Sequence, residues 1–216
     1  MTAEIGQIVL SLALIAALYQ GIFPFAGARA GDAALMRTGR TAAFAQLLLV
    51  AAAFAALTLA HALSDFSVRN VVENSHTAKP FIYKITGVWG NHEGSMLLWA
   101  LILAAYGAAV AATASAGALT ARVLGVQGLV AAAFLGFIIF TSNPFARVFP
   151  APPDGQDLNP LLQDPGLIIH PPFLYLGYVG FSIAFAFAVA GLIEGRIDER
   201  WAREVRPWAL AAWTFL

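Results

Sequence analysis

The 216-residue chain contains no cysteine. Disulfides, thiolate metal sites and covalent attachment of a prosthetic group through its own C-x-x-C-H motif are therefore excluded. Charge is scarce as well: 11% of residues are Asp, Glu, Lys or Arg, and the 12 basic and 12 acidic side chains cancel. A net charge of zero leaves no electrostatic footprint for nucleic acid. What is abundant is apolar surface. Hydrophobic residues make up 60% of the chain and the mean hydropathy is +0.75, whereas soluble domains are roughly half apolar and a quarter charged.

The apolar residues come in blocks of the length that crosses a bilayer, about 20 residues each. The first, Ile5 to Phe25, follows Glu4 with no Lys or Arg before it, so it reads as a retained span rather than a cleaved signal. Further spans are expected from Thr41 to Ala60, Ser95 to Thr113, Val123 to Thr141 and Pro171 to Ile193. Between them lie polar segments at about 27–40, 64–94, 114–122, 142–170 and 194–206. Trp208 to Leu216 reads as the start of a sixth span. The fold class is all-α: a polytopic membrane helical bundle of five complete spans. No Asp, Glu, Lys or Arg lies in the interior of those spans, which argues against an ion-coupled carrier. Gln7, Gln46 and Gln127 are expected to make interhelical hydrogen bonds.

Basic residues set the expected orientation. Arg29, Arg37, Arg40, Arg122, Arg196, Arg200, Arg203 and Arg206 fall on one side, against Arg69, Lys79, Lys84 and Arg147 on the other. The arginine-rich side is expected to be cytoplasmic, with the N-terminus outside. His61, His76, His92 and His170, the only histidines, then all face the outer compartment, in a bacterium the periplasm.

The outer segment 142–170 and its continuation carry the strongest signal. Eight of the eleven prolines cluster there, among them Pro144, Pro165, Pro171 and Pro172, favouring a rigid extended loop. A residue before proline is pushed away from helical dihedrals, so His170 is expected to be the last non-helical residue before the fifth span. That fixes an imidazole at a membrane boundary, a setting suited to metal or cofactor ligation, with Tyr175 and Tyr178 as rings that border a flat ligand. The bland alternative is an interfacial imidazole bonded to a loop carbonyl. In Val88 to Trp99, VWGNHEGSMLLW, the H-E-x-x-H zinc motif fails because Met96 holds its fifth position. Trp89 and Trp99 read first as interface anchors, with Ser95 as a helix cap; the alternative is an aromatic floor with His92 as donor or second ligand. His61 and His76 read as structural. The stretch EGRIDERWAREVRP holds four acids and four arginines and reads as a short amphipathic helix on the cytoplasmic surface, anchored by Trp201. No catalytic residue emerges.

The runs TSNPFARVFP, DLNPLLQDPGLIIHPPFLYLGYVGFS and RPWALAAWTFL, with WGNHEGSMLLW and EIGQIVLSLAL, resemble the CcmF family, related to the NrfE and CycK types. These are membrane haem lyase subunits of bacterial cytochrome c maturation. The resemblance runs through the chain in order and implies an N-terminal portion of a longer protein, with a tryptophan-rich segment following. It implies an inner-membrane protein that takes haem from a periplasmic haem chaperone. The haem is joined to the two thiols of a C-x-x-C-H apocytochrome c, with partner subunits presenting the apoprotein. It further implies that His170 is an axial ligand to non-covalently held, b-type haem; His92, Trp89 and Tyr175 are weaker candidates at the same cofactor. Two other function classes stand beside this one: a membrane transporter of haem or another hydrophobic substrate, and a non-catalytic assembly subunit.

Overall fold

The computed structural model describes residues 1–216. Its helices are α1 (Thr2–Ala30), α2 (Ala33–Ala62), α3 (Arg69–Asn74), α4 (Phe81–Thr86), α5 (His92–Thr113), α6 (Ala118–Phe140), α7 (Pro165–Glu194) and α8 (Glu199–Phe215). There are no strands, and α1, α2, α5, α6 and α7 are long and apolar enough to cross a membrane. The all-helical, five-span reading holds.

The spans alternate between two ends. At one end Arg147, in the long 142–164 connection, pairs with Glu4 near the N-terminus, and Asn143 Nδ2 donates to Gln7 Oε1. All four histidines lie at this end. At the other, Arg40 reaches the carbonyl of Ala114, and Arg122 of α6 pairs with Glu194 at the end of α7.

Several boundaries differ from expectation, each through a local cap. The 27–40 segment is mostly helix, because Gly31 adopts φ 69° and returns its N–H to Gly27, while Asp32 accepts from the amides of Ala34 and Leu35. Only a two-residue turn joins α1 to α2. Asn91, not Ser95, caps α5 by accepting from Gly94 N; the Ser95 hydroxyl instead donates to the Trp89 carbonyl. Asp164 caps α7, with Pro165 in its first turn. The helix therefore starts before His170, which lies inside it rather than just ahead of it. Asp198 caps α8, which continues through Pro207 and packs along α7 with Ala212 its one buried residue. Its Trp201 indole donates to the Phe187 carbonyl, and Gly180 leaves room for Ala212.

Between spans in lipid the hydrophobic effect gives little drive, so close van der Waals contact and interhelical hydrogen bonds must hold the bundle. At the α1–α6 crossing a Cβ on Gly128 would lie 2.6 Å from the Gly21 nitrogen and 2.8 Å from the Gln20 carbonyl carbon. Beside it, Gln20 Nε2 donates to the Leu124 carbonyl at 2.9 Å, and Gln127 Nε2 to the Leu103 carbonyl at 2.9 Å. Gln127 thus acts as expected, whereas Gln7 bonds to Asn143 of the connection rather than to another helix. Gln46 is fully buried yet bonds to no protein group.

Because backbone, not a movable side chain, faces Gly128, Gly128→Val should force α1 and α6 apart at a cost of roughly 1–3 kcal/mol. Thermal unfolding of the detergent-solubilised protein should show a lower midpoint; an unchanged midpoint would mean that the crossing is not tight.

Candidate ligand site at the histidine end

The histidine end is built on one buried amide network. His61, the penultimate residue of α2, is fully buried, and its Nε2 donates to Asn70 Oδ1 of α3 at 2.8 Å. Asn70 Nδ2 donates in turn to Asn91 Oδ1 at 2.7 Å. Asn91 Nδ2 donates to the carbonyls of Gly87 at 2.9 Å and Val88 at 3.1 Å. The backbone folds back so tightly here that a Cβ on Gly94 would sit 1.6 Å from the Val88 oxygen. One asparagine thereby caps α5 and closes the turn that carries Trp89. Nearby, Lys79 is 5% exposed and donates to the Asn74 carbonyl; burial holds its ammonium below the usual lysine range.

Trp89 is the bridge to α7. Its ring stacks on Phe54 of α2, with centroids 6.4 Å apart, and its Nε1 donates to the Leu167 carbonyl at 2.8 Å. That acceptor exists because residue 171 is a proline. In a helix the Leu167 carbonyl would bond to the N–H of residue 171, which proline lacks. The Leu167 side chain also packs on Gly90, where a Cβ would lie 3.4 Å from Cδ2. His170 follows three residues on, exposed to the surroundings.

At about 100° per residue, Phe173, Leu174 and Phe181 share the side of α7 that carries His170, and all three are exposed. Tyr175 turns about 140° away; it is half-buried against the core, with its ring 5.8 Å from that of Tyr178. Trp99 is not an interface anchor: it is 8% exposed, stacked on Phe134 at 3.6 Å, with Tyr178 tilted against it at 6.2 Å. His92 is exposed at the start of α5, edge-on to Phe137 of α6 at 6.4 Å. Trp89 is thus brought to the first turns of α7, and His92 is aimed at α6.

No three His, Asp or Glu side chains converge at metal-ligand spacing. What the site offers is one exposed imidazole on an apolar helix face. That suits a ligand with its own metal centre and a broad apolar body, since imidazole then contributes a single axial bond. Sequence reasoning did not find Asn70, Asn91 or the Phe173–Leu174 rim. The Pro171-freed carbonyl was a signal for the Trp89 contact; nothing marked Asn70.

The connection over this end is pinned by Asp154. It accepts from the Thr77 amide and hydroxyl and from Gly155 N, with His76 Nε2 at 3.3 Å. Gln156 N and Asp157 N donate to the carbonyls of Val72 and Ser75.

The model of the family described as cytochrome C assembly protein matches residues 89–216. The cytochrome c-type biogenesis protein ccl1 of Rhodobacter capsulatus is 62% identical over all of this chain and 33% of its own length. CycK of Rhizobium meliloti is 62% identical, over 100% of this chain and 32% of its own. CcmF of Escherichia coli is 51% identical, over 100% and 34%. Among solved structures, a cytochrome c heme lyase CcmF superposes with a TM-score of 0.88 and 29% identity, covering 100% of this chain and 34% of that one. The chain spans about a third of the length of the curated relatives it matches.

The Thr77 hydrogen bonds hold the Asp154 carboxyl below its ordinary value of 3.8. A carboxylate depressed in the fold adds stability above its unfolded pKa and loses it as pH falls through the folded one. Asp154→Asn should therefore lower the thermal midpoint at neutral pH. The gap to the parent protein should close below about pH 4; a gap that stays constant into acid would show that the charge is not what matters.

Proposed function

The chain belongs to the cytochrome c assembly protein family, and from that premise we propose that it is the part of a CcmF-type haem lyase that offers His170 to incoming haem. It is a multi-pass membrane protein. The observation that carries the reading is the exposed His170 imidazole beside exposed Phe173 and Leu174. An imidazole lone pair supplies one axial bond, and an apolar rim suits the face of a macrocycle. Haem is the substrate in this scheme, held without a covalent bond until both thiols of a C-x-x-C-H apocytochrome c have taken it.

The chain's own residues orient and present rather than react. The cap at Asp164 and the Trp89 contact fix where His170 stands; the Phe173–Leu174 face favours an apolar body. Having no thiols, the chain does not compete with the apocytochrome for the haem. Haem arrives from a periplasmic haem chaperone, and partner maturation subunits present the apoprotein. The protein sits in the bacterial inner membrane, with the histidine end in the periplasm and the arginine end in the cytoplasm. His92 is a weaker candidate, and Tyr175 acts through packing rather than as a ligand.

His170→Ala, restored to a strain lacking the gene, should lower covalent c-type haem in membranes by at least about ten-fold with the protein still present. Normal cytochrome c at normal protein level would remove haem ligation from this residue. Orientation is tested separately, using the absence of native cysteine in the chain. A cysteine at Asp157 should react with a membrane-impermeant maleimide in spheroplasts, and one at Gly117 only after lysis; the reverse pattern would invert the topology.

A further inference from the structure

The double proline after His170 withholds two amide protons from α7, at residues 171 and 172. The carbonyls of Leu167 and Ile168 consequently lack their i+4 donors. A helix in this state is loosest in the turn that carries His170. The Trp89 indole N–H takes one of the two carbonyls, that of Leu167, at 2.8 Å. Trp89 is itself fixed three ways: by Phe54 under its ring, by the Ser95 hydroxyl on its carbonyl, and by the Asn91 amide closing the turn before it. Asn91 is held through Asn70 to the fully buried His61. An unbroken chain of hydrogen bonds thus runs from the end of α2 to Asn91, and the turn it closes carries Trp89 to a point three residues short of His170.

We infer that Trp89 is a positioning residue, whose indole N–H replaces the amide that Pro171 lacks and so fixes the direction of the His170 imidazole. Trp89 acts through the Leu167 carbonyl, not by touching haem. Neither the ring's size nor its aromaticity is the essential property; the donor is. The prolines and the tryptophan form one device. Proline opens an acceptor in the helix, and a donor from the α4–α5 turn occupies it. This rests on the reading of His170 as the haem ligand only for its consequence at haem; the latch itself is a property of the haem-free protein.

The test separates the two. In the haem-free complete protein, hydrogen–deuterium exchange of the Ile169 and His170 amides should be about 5- to 10-fold faster in Trp89→Phe, the size expected for one net hydrogen bond lost. In the haem-loaded protein the same variant should show a smaller six-coordinate, low-spin fraction in its absorption spectrum. Pro171→Ala restores an amide able to reach the Leu167 carbonyl, so adding W89F to P171A should change exchange by less than about twofold. An equal effect of W89F in both backgrounds, or none in either, overturns the inference. If W89F alone fails to accumulate, accumulation of the W89F/P171A protein supports the latch and continued failure overturns it. If His170→Ala leaves the haem spectrum unchanged, the haem reading falls while the exchange result stands.

Discussion

A helix that carries an exposed imidazole close to its own beginning faces a constraint of backbone chemistry. Its first amides and any carbonyl facing a proline have no partner within the helix. Everything at the histidine end answers that constraint. Asp164 accepts from the Gly166 amide, Trp89 donates to Leu167, and the turn that holds Trp89 is closed by Asn91. Asn91 in turn rests on Asn70 and His61, which lie where water does not reach, so each amide satisfies the next. Buried polar chains of this kind are costly wherever a link is missing, as at His61 Nδ1, which is buried with no partner. Removing Asn70 would strand an imidazole and a cap together.

The bundle below obeys a different rule. With apolar side chains equally at home in lipid, the helices stay together by approaching closely. Gly128 against Gly21, Gly125 against Phe25 and Gly27 against Leu35 are among the places where a methyl group would not fit. The register of α1 and α5 against α6 depends on small residues and a few glutamines. Gln20 and Gln127 each bond a carbonyl on the next helix. The apolar blocks set which helices exist, and the glycines set how they sit.

The spans and the shared end of the histidines were legible because hydropathy and arginine placement are long-range averages, insensitive to single residues. The candidate His170 was legible because proline chemistry is local. Its place within α7 was misread for the same reason: the proline effect on the preceding residue was weighed, but the stronger start signal, Asp164 followed by Pro165, lay further upstream. The Gly27–Arg40 segment reads as a loop from its charge, although Gly31 and Asp32 are a C-cap and an N-cap side by side. Trp99 was placed at the interface by residue type, and only tertiary structure reveals Phe134 stacked on it. Asn70 and Asn91, separated by 21 positions, carry no mark that they meet.

From His170 to Glu194, α7 has no break, and at 1.5 Å per residue that arm is about 36 Å long. A tilt of one degree about the inner end would move the imidazole by roughly 0.6 Å, several times the roughly 0.2 Å by which a metal–nitrogen distance can vary. The arm is held at both ends, by Arg122 on Glu194 and by Trp89 on Leu167. α8 lies along its side through Trp201 and Gly180. Aim at one membrane face is therefore set partly by an ion pair at the other.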